Sequence, residues 1–317
     1  MAESVLVADI GATHARFAVA ETQAGAIAIR NMQVLSADDF KTMRESAAAY
    51  LETALEKPDR ACFAVAAPII GNEIAFVNSS WRFRADEIRD AMGLRDLRVI
   101  NDFYALAAGV VFLPEEAVIV VKAGEADPAA PRLVMGPGTG FGQALIAPLP
   151  AGEVIFPTEG GHVSFAPQAT REFELMRVIA RKHPRVSVER LLSGRGLENI
   201  YAGLRALDGE PDAAMPAEAI TAAASAGDDR CAVETLDVFC SVLGRTAGDA
   251  VLATGARGGV TLGGGILPKI RDLFLASDFT KEFVSKGRME AYMAPVPVAL
   301  IIADGAALYG AAASIAR

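Results

Sequence analysis

The run Gly136-Pro137-Gly138-Thr139-Gly140-Phe141-Gly142 sets four glycines at alternate positions. Glycine admits positive φ and lets another group come close to the backbone. Successive amide N–H groups in such turns form a concave nest for an anion, and Thr139 adds a hydroxyl donor. A tight hairpin or bulge is the alternative use of such glycines. A similar turn follows the apolar run Val5–Ala8, where Asp9, Ile10, Gly11, Ala12 and Thr13 stand together. A carboxylate in that position can hold magnesium through water, and Thr13 can donate to a phosphate oxygen. It can equally be an ordinary turn aspartate. A third cluster, Gly263, Gly264 and Gly265, lies between an apolar run and a helical pattern, where a base or ribose could rest on bare backbone. Asn101-Asp102 closes the run RVIND. A carboxylate at the C-terminal end of a buried strand lies where open α/β sheets hold ligands, and there it can accept a proton from a hydroxyl. Asn and Asp are also the best helix caps, so this pair reads equally as a cap and as a catalyst.

These residues need strands that end where the turns begin. Val5–Ala20 reads as a hairpin, Ala26–Val34 as a third strand, and Ala61–Ala67 and Leu97–Ile100 as buried strands. Helical spacing runs over Asp38–Leu55 with Asp38 as its cap, over Arg84–Met92, and from Tyr104 onward. Ala117–Val121, Leu133–Met135, Gln143–Ala147, Val260–Leu262 and Val296–Ile302 read as further strands. Glu172–Arg181, Val188–Leu192, Ala217–Ala226, Ala232–Leu252 and Gly305–Ile315 read as helices. Strands alternating with helices make the class α/β. Residues 6–20 (LVADIGATHARFAVA) align without a gap on 133–147 (LVMGPGTGFGQALIA), with Gly11 on Gly138. That echo suggests two similar domains.

Composition narrows the partners. A net charge of −9 over 317 residues argues against a nucleic-acid surface. It leaves room for phosphate ligands, which backbone amides can hold without positive side chains. The longest apolar run, Ala105–Leu113, is far short of the roughly 18 residues of a membrane span. An acidic N-terminus without a basic region predicts no signal peptide. The three scattered cysteines, with no Cys-x-x-Cys pair, suggest neither zinc nor redox chemistry and fit a reduced, cytoplasmic protein. There is no Gly-Lys dipeptide for a Walker loop and no Gly-x-Ser-x-Gly elbow. A dinucleotide site is disfavoured because a strand pattern, not a helix, resumes after Gly142.

The segments VADIGATHAR, PIIGNEIAFVNSSWRF, RVINDFYALA, MGPGTGFGQALI, PTEGGHVSFAP, VSVERLLSGRGLENIY and GGVTLGGGILPKI occur in this order, and the resemblance they carry covers the chain from Val5 to about Gly310. As a set they resemble the bacterial ATP-dependent glucokinases of the hexokinase and actin-like superfamily, in the zinc-free branch rather than the ROK sugar kinases. The resemblance implies two ribonuclease H-like (actin/hexokinase-type) domains with an active-site cleft between them: residues 1–110 plus 301–317, and residues 111–300. It implies glucose and ATP as substrates, magnesium carried with ATP rather than by direct protein ligands, and a homodimer. Motif by motif, it makes Asp102 the catalytic base. Asn78, Asn101, Glu159, His162 and Glu189 become sugar ligands beside Asp102. Asp9–Thr13 and Gly138–Gly140 become phosphate segments, and Gly263–Gly265 the adenosine segment.

The chemistry of these side chains agrees with such a site. A hexose presents hydroxyls that both donate and accept, and Asn, carboxylates and His answer both. Singly, each has a plainer reading: His162 as a buried histidine serving backbone carbonyls, Glu159 as a loop acid, Glu189 as a solvated charge. The resemblance also implies a first phosphate turn of the form Asp-x-Gly-Gly-Thr-Asn, where this chain has Ala12 and His14. A negative φ is expected at Ala12, and His14 retains a donor. Kinases for another hexose or amino sugar, and a sugar sensor without turnover, are the alternatives.

Overall fold

The computed structural model describes residues 3–11, 13–23, 25–54, 56–67, 69–76, 81–211 and 213–315. The expectations placed on Ala12, Leu55 and Asn78 lie outside the described residues. By internal contacts the chain divides into two units. One comprises Met1–Val118, Ile155–Pro157 and Ala303–Arg317, the other Ile119–Val154 and Thr158–Ile302.

In the first unit, β1 (Glu3–Ile10) and β2 (His14–Gln23) form an antiparallel hairpin closed by the pair Ile10 and Ala15. Leu6, Ala8 and Ile10 join a core with Phe17, Tyr50 and Phe63, while Val5 and Val7 face a second core with Cys62, Leu308 and Ala311. Alternate side chains of a strand point to opposite faces, so a strand covered on both sides is apolar throughout. The sheet is completed by β3 (Ala26–Ser36), β4 (Arg60–Val65) and, after the short strands β5 (Ile69–Ile70), β6 (Glu73–Ala75) and β7 (Arg82–Arg84), by β8 (Asp96–Asn101). Its order is β3-β2-β1-β4-β8, with β1, β4 and β8 parallel.

Helix α1 spans Met43–Thr53 and does not start at Asp38, which lies in the single 3-10 turn Ala37–Asp39. Thr42 is the cap: its hydroxyl accepts from the Glu45 amide at 3.2 Å, while Glu45 Oε2 accepts from the Lys41 amide at 2.9 Å. Two amide donors are thereby satisfied together, which Asp38 could not do. After α2 (Ala85–Ala91), helix α3 (Asp102–Gly109) packs on the C-terminal helix, Ala306–Ile315. The backbones of Gly109 and Gly310 meet there, and a Cβ on Gly310 would collide with the Ala105 carbonyl.

A second sheet, most of it in the second unit, comprises β9 (Val118–Lys122), β10 (Arg132–Pro137), β11 (Phe141–Leu149), β12 (Gly152–Thr158), β13 (Val260–Leu262) and β14 (Val298–Ile301) in the order β12-β11-β10-β13-β14-β9. Its first five members repeat the order of the first sheet, so the aligned runs 6–20 and 133–147 are the opening hairpins of two equivalent sheets. Helices α4 (Thr170–Ala180), α5 (Gly194–Leu207), α6 (Ala217–Ala226) and α7 (Arg230–Thr254) contribute a large part of its core. The short α8 (Arg271–Ala276), α9 (Phe279–Val284) and α10 (Glu290–Met293) follow β13. The helix expected over 188–192 is a single 3-10 turn, Val188–Arg190, and the chain is extended again at Ser193, the cap of the following helix. Among the described residues, no helix is long and apolar enough to cross a membrane.

Candidate active site

In the first unit the candidate residues lie at one edge of the sheet. Ile10 pairs with Val65, and Val65 with Asn101, so β1, β4 and β8 end together. Two strand spacings separate Asp9 from the Asn101 end, roughly 10 Å. Asn101 is the N-cap of α3: its Oδ1 accepts from the Tyr104 amide at 3.0 Å. Its Nδ2 donates to Asp102 Oδ1 at 2.9 Å, and the same oxygen accepts from the Phe103 amide at 2.9 Å. The cap is therefore Asn101, and the carboxylate it orients begins the helix, where the macrodipole favours negative charge.

Asp9 stands opposite Arg16 across the hairpin, with Oδ2 3.7 Å from its guanidinium. Burial pushes the Asp9 carboxyl above the usual carboxylate range, and Arg16 offsets part of that rise. With 23% of its side chain exposed, it retains an open side. Ile10 is buried, whereas Thr13 and His14 are exposed. The Gly11 amide donates to the His14 carbonyl at 2.9 Å, closing the turn. Among the described residues, no group of three or more His, Cys, Asp or Glu side chains forms a metal cage. A partly desolvated carboxylate with one distant cation suits a magnesium ion that keeps its waters and its phosphate ligands.

In the second unit, Gly136 (φ 157°) packs directly on the Gly263 carbonyl, and Gly264 (φ 91°) on the Pro137 carbonyl. The Gly263 amide donates to Met135 O at 2.9 Å. The glycine loop and the Gly263–Gly265 segment are thus joined at adjacent strand ends. Of the four alternate glycines only Gly136 has a positive φ. Close approach accounts for Gly136 and Gly140, whereas a Cβ on Gly138 would meet open space. The Gly138 amide donates to Gly140 O at 2.8 Å, and Thr139 is exposed.

Glu159 precedes the 3-10 turn Gly160–His162, and its Oε2 lies 3.8 Å from His162 Nε2. Their side chains are 70% and 57% exposed, so His162 is not a buried structural histidine. The chain then bridges at Ser164 and Ser187, with Phe165 N donating to Val186 O at 3.0 Å. The Arg185 guanidinium donates to the His162 carbonyl at 2.7 Å. These bonds hold the Glu159–His162 turn beside the turn that carries Glu189, whose Oε2 accepts from the Phe141 amide at 2.9 Å. Glu159, His162, Glu189 and the glycine segments are linked within this unit; Asp9, Ile10, Gly11, Thr13, Asn101 and Asp102 belong to the other. Arg16, Arg185 and the Phe141 amide escaped the sequence reading. Only Arg16 carried a signal, since the hairpin register puts it opposite Asp9.

The glucokinase family model matches residues 6–317. The chain belongs to the glucokinase family. A glucokinase of Marinobacter nauticus is 41% identical over 311 residues, covering 98% of this chain and 96% of that protein. The crystal structure of a glucokinase from an Antarctic psychrotroph superposes with a TM-score of 0.86 at 37% identity, over 99% of both chains. A ROK family glucokinase from Streptomyces griseus, in complex with glucose and AMPPNP, reaches 0.66 at 19% identity over 98% of each chain. The fold is thus that of the two-domain actin-like sugar kinases, and the TM-scores are higher towards the first of these structures than towards the ROK protein.

Proposed function

We propose that this glucokinase-family protein transfers the γ-phosphoryl group of ATP to the 6-hydroxyl of D-glucose, giving glucose 6-phosphate and ADP. Family membership supports the reaction. The Asn101–Asp102 pair, in which the amide of one side chain aims the carboxylate of the other, supports Asp102 as the base. Asp102 would take the 6-hydroxyl proton as that oxygen attacks the γ-phosphorus in line with the leaving ADP oxygen.

Glu159, His162 and Glu189, with Asn78 and Asn101, would receive the remaining sugar hydroxyls. A site of this kind rejects analogues that lack a hydroxyl, because its polar groups would be left unpaired. Gly138, Thr139 and Gly140 would cradle the phosphates, as would Asp9, Gly11 and Thr13. Gly263–Gly265 would underlie the adenosine. Magnesium, when bound with the nucleotide, would neutralise charge on the phosphates, and Asp9 would hold it through water. A cytoplasmic homodimer acting at the first step of glucose breakdown completes this reading.

The test is glucose-dependent ADP release by the wild type and by Asp102→Asn. A general base contributes about 10²- to 10⁴-fold, so kcat should fall by that much with the fold retained. Full activity in the variant would remove Asp102 from its role. A panel of hexoses ranked by kcat/KM checks the sugar.

A further inference from the structure

The run VSVERLLSGRG contains more than Glu189. Ser193, only 2% exposed, donates its hydroxyl to the Glu189 carbonyl at 2.8 Å. The same hydroxyl accepts from the Gly196 amide at 3.0 Å and so caps α5. The next residue, Gly194, donates its amide to the Gly138 carbonyl at 3.0 Å. At the other end of the run, Glu189 Oε2 accepts from the Phe141 amide and fills the space that a Cβ on Gly140 would need. The segment from Glu189 to Gly194 therefore touches the glycine loop on both sides of Thr139, and all of these contacts lie within one unit.

We propose that Glu189 and Ser193 form a strut through which a bound sugar tightens nucleotide binding at the Gly138–Gly140 loop, by contacts internal to the second unit. The proposal rests on the reading of Glu189 as a sugar ligand and of the glycine loop as a phosphate cradle. A ligand shifts a conformational equilibrium only by binding one arrangement better than another. A sugar hydroxyl on the Glu189 carboxylate selects the rotamer that also receives the Phe141 amide. In that rotamer the loop is anchored at Phe141 as well as at Gly138, so a nucleotide arriving next has less to order. Ser193 is a positioning residue. It is buried, and it acts by holding the Glu189 backbone while its neighbour holds Gly138.

AMPPNP affinity is measured by calorimetry with and without saturating glucose, in the wild type, Ser193→Ala and Ser193→Thr. Glucose should tighten AMPPNP binding to the wild type by about fivefold or more, the lower range of measured couplings. Ser193→Ala should bind each ligand alone within about threefold of wild type yet show coupling below about twofold, and Ser193→Thr should restore it. A role confined to stability would leave this ratio unchanged. Gly140→Ala, whose new Cβ meets only the mobile end of Glu189, should also fall below twofold. Full coupling in Ser193→Ala or Gly140→Ala overturns the strut, as does a wild type that binds both ligands independently. A wild type that does not bind glucose overturns the functional reading itself and the strut with it.

Discussion

Asn101 is bound at both ends of its side chain: Oδ1 accepts from the Tyr104 amide at 3.0 Å and Nδ2 donates to Asp102 Oδ1 at 2.9 Å. The orientation of the amide follows from its partners. A backbone N–H can only donate, so the oxygen must face Tyr104 and the nitrogen must face the carboxylate. One residue both starts α3 and aims the first side chain of that helix.

These two roles separate by substitution. Asn101→Ser keeps an N-cap oxygen but is too short to donate to Asp102, whereas Asn101→Ala loses both functions. Asn101→Ala should cost about 1 kcal/mol of stability and Asn101→Ser only a few tenths. Both should lower kcat to a similar extent. Urea unfolding and glucose-dependent ADP release measure the two effects. Equal instability in both variants would contradict the capping account, and an unimpaired kcat in Asn101→Ser would contradict the orienting one.

The crossing of α3 with the C-terminal helix depends on bare backbone at Gly109 and Gly310. A methyl group on Gly310 has no flexible neighbour to displace, because the obstructing atoms are the carbonyl of Ala105 and the amide of Gly109. Gly310→Ala should therefore cost roughly 2 kcal/mol or more in denaturant unfolding, at the upper end for overpacked sites. Because Asp102 begins the displaced helix, kcat should fall with it. An alanine variant as stable as wild type would show that the helices can part without penalty.

The hairpins and buried strands were legible because a strand covered on both faces, such as Val5–Ala8, leaves a run of apolar residues between turn residues. The two equivalent sheets showed in the alignment of 6–20 on 133–147. Helix α5 was not legible: Gly194, Gly196 and Gly203 depress its local propensity. Burial of Leu197, Ile200, Tyr201 and Leu204 restores the balance, and their i, i+3, i+4, i+7 spacing was the sequence signal that those glycines outweighed. In the site, motifs could name Glu189, but its bond to the Phe141 amide joins residues 48 positions apart. No spacing rule reaches that far. Asn101 was legible only as an ambiguity, and the geometry gives its side chain the capping role beside the carboxylate it orients.

The thiols give a test of the packing. Burial pushes Cys62 and Cys240 up to about 12 and the half-buried Cys231 to about 11. Only the thiolate is a nucleophile, so at pH 8 the folded protein should show no fast-reacting thiol. All three should react at once in denaturant. A rapid phase from the native protein would mean that one of these sites is more open than its neighbours suggest.

Asp9, in the proposed phosphate segment, makes folding stability depend on pH. Its carboxyl is raised in the folded protein, chiefly by burial, so between the usual carboxylate value and the raised one the folded state binds more protons than the unfolded. Stability then falls as pH rises through that window and levels off above it. Asp9→Asn removes this dependence and leaves Arg16 with Asp304, 3.7 Å away, as its carboxylate partner. Relative to wild type, the variant should be more stable at pH 7 than at pH 4, as measured by denaturant unfolding at both values. The same substitution should weaken Mg-ATP binding, since this carboxylate is the one that would face the metal. A stability difference independent of pH would show that Asp9 titrates as an ordinary surface carboxylate.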